Sequence, residues 1–354
     1  MRTTRLLIWI WLLALPAFAE NLVLVNGTII DGTGKPKAAG SIRIRDGKIA
    51  DMGLLKLAPN ETRLDIKGMV VTPGFIDLES GDPNAAALKG VTTVVLGSDG
   101  KGPYAVEEFM LPFDEKPPAA NIAMLAGHGT IRRQILGTDY KRAATAAEIG
   151  LMASLLRDAM GQGAFGLASD LRNEPASFST MAELTGLAKQ LGQFGGTFFV
   201  HSHDEIIQTP LDVARNEKIT VQFSLDTITP AVVTDLNKAR MQGIDVGAHV
   251  YSLTEPAADL KALLQNPVVA ISFAQYLKDD KAATLERAVQ KLTSLPASRI
   301  SLRERGVLRK GVPADIVVFN PMDASHTLTH VFVNGTMVVK DGQPTGARPG
   351  QALR

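Results

Sequence analysis

Apolar residues along this chain follow two rhythms. Over residues 21–72 and again over 306–343, strand-length apolar runs are broken by Asn-Gly or Asp-Gly pairs. Leu22 to Val25, Asn26-Gly27 and Thr28 to Ile30 predict a hairpin on an Asn-Gly turn. Ser41 to Arg45, Asp46-Gly47 and Lys48 to Ala50 repeat the device, as do Val331 to Val333, Asn334-Gly335 and Thr336 to Val339. Each end of the chain alone would leave an apolar β face in water. Pairing the two ends into one sheet or sandwich hides both. Between them the period changes. Apolar runs at 91–96, 121–126, 164–168, 197–201, 220–224, 244–251 and 268–273 alternate with helical stretches such as 146–162, 180–194 and 229–242. Strand and helix in alternation predict a parallel sheet of βαβ units. This many repeats close most simply into an α/β, TIM (β/α)8-type barrel, complete or incomplete. An open doubly wound sheet is the fallback, disfavoured because no G-x-G-x-x-G follows the first strand. The expected division is 20–72 together with 301–354 as a composite β-sandwich domain, and 73–300 as the barrel.

The first residues stand outside both rhythms. Arg2 and Arg5 precede an unbroken apolar run at 6–15, and Pro16-Ala17-Phe18-Ala19 offers a small–x–small cleavage pattern. This is the form of a secretory signal peptide over residues 1–19. Ten apolar residues fall short of the roughly 20 that span a bilayer, so the alternative, an uncleaved anchor, is the weaker reading. The expected destination is across the inner membrane, in the periplasm, with membrane contact only before cleavage. The chain holds no cysteine, which excludes disulfides, thiolate metal ligands and a thiol nucleophile. Lys and Arg total 37 against 36 Asp and Glu, a net charge of +1, and this excludes the basic excess of a nucleic-acid binder.

In a parallel barrel, chemistry gathers where strands run into the following loops. The polar residues expected there are Asp77, Glu79 and Asp82, then Asp99, His128, Asp170, the run His201-Ser202-His203-Asp204-Glu205, Asp226 and His249. His201 and His203 share a strand face if the strand continues through them. Two imidazoles and two carboxylates at a strand end suit a divalent metal such as zinc. Each residue also has a plainer reading. His128, in Gly127-His128-Gly129-Thr130, can serve loop backbone groups. His249 lies inside an apolar run and reads as a hydrogen-bonded core histidine. His326 and His330 are expected on the surface of the β unit.

Several segments taken in order resemble one family. They are Val70-Val71-Thr72-Pro73-Gly74-Phe75-Ile76-Asp77, Gly90 to Gly97, Gly127 to Arg132 and Gly163 to Leu167. Gly195-Gly196-Thr197 with His201 to Glu205, Gly243 to Val246, Gly311 to Asp315 and Thr345 to Gly350 continue the series. Together they resemble the amidohydrolase superfamily in its N-acyl-D-amino-acid deacylase (D-aminoacylase) branch, over nearly all of the chain after the leader. The resemblance implies a TIM barrel with a β-sandwich from both termini. It also implies hydrolysis of non-peptide C–N amide bonds by a metal-activated water.

The chain departs from that pattern at its chemistry. The family's His-x-His after Gly-Phe-Ile-Asp is Glu79 and Gly81 here, and Asp99 stands where many members have a cysteine ligand. His201 is retained, and the arginine expected two residues later to hold a substrate carboxylate is His203. Leu225 replaces the next histidine. The Gly-Ser-Asp-Gly bearing the catalytic aspartate is missing, and the stretch between Tyr251 and Glu286 is short. Loss of a general base costs 10²–10⁴-fold in rate, and loss of metal activation costs more. Two outcomes are therefore expected. One is an amidohydrolase-like protein with lost or altered activity, where Glu79, Asp99 and His201 hold one zinc, Asp204 or Asp226 is the base, and His203 and His128 contact substrate. The other is a non-catalytic scaffold or binding protein for a small acyl-amino-acid-like ligand.

Overall fold

The computed structural model describes residues 21–79, 81–202, 206–225, 229–250, 269–270, 284–322 and 328–354. The N-terminal strands are β1 (Leu22–Ile29), β2 (Ala38–Arg45), β3 (Lys48–Gly53), β4 (Arg63–Asp65) and β5 (Val70–Pro73). Next come β6 (Phe75–Asp77), β7 (Val91–Leu96), β8 (Asn121–Met124), β9 (Ala126–Gly127), β10 (Gly166–Asp170), β11 (Thr197–His201), β12 (Thr220–Leu225), β13 (Val246–Val250) and β14 (Val269–Ala270). The chain ends through β15 (Ile316–Phe319), β16 (Leu328–Val333), β17 (Thr336–Lys340) and β18 (Gln343–Pro344).

Both chain ends share one nine-stranded sheet in the order β18-β17-β16-β15-β5-β1-β2-β3, with β4 beside β1. The β5–β15 pair joins them, Val71 opposite Val318. Successive residues on a strand face opposite sides, and the packing follows that rule. Ile316 and Val318 of β15, Phe332 of β16 and Val71 of β5 enter a core with Leu24, Ile42 and Ile44, enclosed by the sheet itself. Their neighbours Val317, Phe319, Val331 and Val333 enter the large core shared with the helices and strands of the middle region. The Asp46-Gly47 and Asn334-Gly335 pairs turn hairpins with both residues at positive φ. The Asn26-Gly27 hairpin does not form. Strand β1 runs straight through, and Asn26, at φ 59, sits in a register shift against β2 between Leu24 and Gly27. A left-handed Asn serves a bulge as readily as a turn. His330, expected at the surface, is 2% exposed, and its Nδ1 accepts from the Asp341 backbone N–H at 3.3 Å.

The middle strands run parallel in chain order. β6, β7 and β8 pair in one group, and β9 through β14 pair in another. The groups meet through residues 121–127, where β8 pairs with β7 and β9 with β10. The array is curled. In a flat sheet β6 and β12 would stand about 24 Å apart, at about 4.8 Å per strand step. Instead Ser224 on β12 hydrogen-bonds Glu79, two residues past β6. Ile76, Val95, Ala123, Leu125, Ala168 and Phe199 meet as one interior cluster. They come from β6 through β11 and the link between β8 and β9, as a barrel interior requires.

The helices are α1 (Pro83–Ala87), α2 (Val106–Glu115), α3 (His128–Leu136), α4 (Ala146–Gly161), α5 (Met181–Phe194), α6 (Gln208–Glu217), α7 (Pro230–Met241), α8 (Leu285–Leu292) and α9 (Ser294–Arg299). Their starts are written in the sequence. Thr145 caps α4, and Glu148 returns the bond as a capping box. Thr180 caps α5 and Thr229 caps α7, where Pro230 takes the first turn. Thr145→Ala is expected to cost about 1 kcal/mol, read as a lower urea midpoint with an unchanged denaturant slope.

Lys291 on α8 is 2% exposed. Burial pulls its ammonium down to about 7, and Arg287 adds to the shift. The unfolded lysine stays protonated to about 10.4, so above pH 7 the unfolded state binds more protons and stability rises with pH. Between pH 7 and 8.5 the rise should be about 1 kcal/mol per pH unit. Lys291→Met should flatten that dependence in urea melts taken at both pH values.

Candidate functional site at the barrel mouth

The C-terminal ends of β6, β11, β12 and β13 bring four side chains together. The Glu79 side chain is buried, 3% exposed, and its Oε1 accepts a hydrogen bond from Ser224 Oγ. His201 Nε2 lies 3.8 Å from the same oxygen, and His249 Nδ1 lies 3.7 Å from Glu79 Oε2. That second oxygen is buried and accepts no hydrogen bond among the described residues. Asp77 is next to the group. Burial pushes its carboxyl up, against the Glu79 backbone N–H that donates to it at 2.9 Å.

The other face of His201 meets an arginine. Arg172 Nε donates to Asp170 Oδ1 at 2.9 Å, and its Nη2 lies 3.2 Å from Asp170 Oδ2 and 3.0 Å from His201 Nδ1. A guanidinium only donates, so His201 Nδ1 must accept. That places the proton of the neutral ring on Nε2, facing Glu79. Burial raises the Asp170 carboxyl, but the bonds from Arg172 and Asn173 outweigh it and hold the group below the usual carboxylate range.

The three expected metal ligands are not assembled. Glu79 and His201 come together, while Asp99 is exposed on the loop after β7, its Oδ1 taken by the Lys101 backbone N–H at 3.0 Å. Among the described residues no three His, Cys, Asp or Glu side chains are placed to hold an ion. His201, whose Nδ1 faces a guanidinium, presents an N–H rather than a lone pair toward Glu79. These residues do not fit the metal centre that the resemblance implies.

His128 is fully buried. Its Nδ1 lies 2.8 Å from Ser169 Oγ and its Nε2 lies 2.8 Å from Glu183 Oε1, and Arg132 holds the other oxygen of Glu183. Both ring nitrogens are committed, so His128 offers none to a substrate. His203, Asp204 and Asp226 lie outside the described residues, as does His326. No motif in the sequence marks Arg172, Ser224 or Glu183 as a site residue. Asp170-Leu171-Arg172 reads as a local loop ion pair, and nothing in its spacing points to His201.

Beside this cluster a cavity of about 320 Å³ opens among the ends of β7, β9 and β10. Asp99 and Asp170 are in its wall. Gly100 sits there at φ 76, where an added Cβ would come within 2.8 Å of the Asp170 backbone nitrogen. Only glycine lets this loop lie so close to β10.

The Amidohydrolase family model matches residues 252–345. An N-acyl-D-aspartate deacylase of Alcaligenes xylosoxydans xylosoxydans is 26% identical, with 96% of this chain and 95% of that protein covered. A D-aminoacylase of the same organism is also 26% identical, over 94% and 97%. The first alignment runs over 478 positions against 354 residues here, so the relative carries internal segments with no counterpart in this chain. Among solved structures, a D-aminoacylase with a binuclear metal centre superposes with a TM-score of 0.83 at 23% identity, covering 94% of this chain and 99% of that one. An N-acyl-D-glutamate deacylase from Bordetella bronchiseptica, complexed with zinc and a phosphonate inhibitor, gives 0.82 at 24%, with the same coverage. The chain is similar to the amidohydrolase family. Within that family it is similar to the N-acyl-D-amino-acid deacylases, at about 26% identity over most of its length.

Proposed function

We propose that this protein is an exported member of the amidohydrolase family that binds a small acyl-amino-acid-like molecule at its barrel mouth without metal-dependent C–N hydrolysis. One observation carries the reading. His201, the histidine retained from the family pattern, turns Nδ1 to the Arg172 guanidinium and an N–H toward Glu79. A cationic neighbour and a proton on the facing nitrogen both oppose binding of a divalent ion there. Export rests on the apolar leader of residues 6–15, and the periplasm is the compartment it implies.

The spacing of Glu79 supports a second reading, a one-metal hydrolase. Its two oxygens lie 3.8 and 3.7 Å from imidazole nitrogens of His201 and His249, not far above the ligand-to-ligand distance around a tetrahedral zinc. Metal analysis separates the two. After metal-free purification and zinc re-addition, the expected result is well under one ion per chain and no turnover of N-acyl-D- or N-acyl-L-amino acids. One zinc per chain that His201→Ala abolishes, together with acid release from such an amide, would establish the hydrolase instead.

A further inference from the structure

The cavity beside the mouth carries more charge than its neighbours neutralise. Its wall includes Asp99, Lys101, Arg133, Asp170 and Glu174. Asp170 is satisfied by Arg172 and Asn173. Glu174 takes the Tyr140 hydroxyl at 2.6 Å and Lys141 Nζ at 3.0 Å, and these bonds hold it below its usual range. Lys101 and Arg133 remain. Among the described residues neither side chain has an ion pair or a hydrogen bond. Arg133 holds its guanidinium carbon 4.4 Å from the centre of the Tyr140 ring, and its charge also favours the ionised Glu174 nearby. Stacking on that face orients the guanidinium while leaving its N–H donors unspent. Asp99 gives one oxygen to its own loop and keeps the other.

We propose that this cavity is a carboxylate subsite, in which Arg133 and Lys101 grip the carboxylate of an N-acyl amino acid and Asp99 accepts from its amide N–H. The assignment rests on the ligand-binding reading above and locates the ligand's acidic end. Two cations against one uncommitted carboxylate suit a monoanion. A guanidinium matches a carboxylate through two parallel bonds. A phosphate dianion would also face Asp99 and Glu174 across the same space. Arg133 and Lys101 are on α3 and on the loop after β7, and they take over the role that the resemblance gives to an arginine at position 203.

Calorimetric titration of the full chain tests this with N-acetyl-D- and N-acetyl-L-amino acids, their C-terminal amides, and glutarate as a plain carboxylate. The expected result is binding of the acids, at least tenfold weaker binding of the amides, and a loss of about 10–100-fold in Arg133→Gln. Lys101→Gln should lose less, because its flexible ammonium makes no paired bond. Arg133 and Lys101 are exposed, so both variants keep the fold, which circular dichroism verifies. Acids that bind wild type and Arg133→Gln equally would overturn the subsite while leaving the binding function standing. Glutarate binding that depends on Arg133, with no N-acyl amino acid bound, would keep the subsite and sink the acyl-amino-acid reading. Silence from every compound would overturn both.

Discussion

Glu183→Ala is expected to destabilise the protein by about 3–5 kcal/mol, the largest loss from any single side chain in the buried network around His128. Glu183, Arg132 and His128 are all fully buried. The carboxylate takes Arg132 on one oxygen and His128 on the other. Arg132 has no other carboxylate to turn to among the bonds it makes, since Nε and Nη2 donate to the backbone carbonyls of Tyr140, Arg142 and Phe178. Removing the carboxylate therefore strands a guanidinium with no access to water. Burial raises the Glu183 carboxyl, and His128 and Arg132 more than reverse that and keep it ionised. Glu183→Gln keeps the shape and loses the charge, so its cost should be smaller. Urea unfolding followed by circular dichroism measures both variants. A loss below about 1 kcal/mol for the alanine variant would mean that water or a backbone shift rescues Arg132.

The arrangement Ser169–His128–Glu183 has the bonding order of a serine hydrolase triad, and burial decides against that role. Ser169 and His128 have no exposed surface, so no carbonyl can approach the hydroxyl. The network is a clamp that ties α3 to α5 and β10. α3 also carries Arg133, so the Glu183→Ala loss should weaken ligand binding at the cavity as well as stability.

The barrel strands were legible because parallel strands are buried on both faces and read as plain apolar runs. The predicted run at 197–201 and the predicted run at 91–96 became β11 and β7 with the same limits. The terminal sheet was legible through alternation and through two of its three Asn-Gly or Asp-Gly pairs. The third misled, because Asn26 uses the same left-handed backbone to make a bulge within one strand. His330 was expected outside because a lone histidine in a β segment carries no signal of its neighbours' bulk. At the mouth, Glu79 and His201 were found from their positions at strand ends. Their meeting with His249 and Ser224 depends on how the sheet curls, which one-dimensional spacing does not contain. Arg172 was invisible for the same reason.

Arg172→Met is expected to raise the affinity of the mouth for Zn²⁺ or Co²⁺ by about 100-fold or more. The argument is one of charge. Two unit charges 4 Å apart interact by about 4 kcal/mol at the effective dielectric of a protein surface, and an incoming divalent ion doubles the repulsion from Arg172. Solvent screening and the paired Asp170 carboxylate remove part of this, and a remainder of about 3 kcal/mol already corresponds to 100-fold. Methionine removes that repulsion at similar length, and it also removes the guanidinium's own bonds to Asp170 and His201 Nδ1. An imidazole and a carboxylate beside it are an ordinary pair of zinc ligands. Excess zinc should then raise the Tm of the variant and leave that of wild type unchanged, since only a ligand that binds the folded state stabilises it. Equilibrium dialysis with metal analysis gives the stoichiometry. If wild type itself gained Tm and bound one ion, Arg172 would not be the barrier and the metal-free reading would fall. If neither protein bound metal, the arginine would be a local clamp on Asp170, and the absence of a centre would rest on the replaced ligands alone.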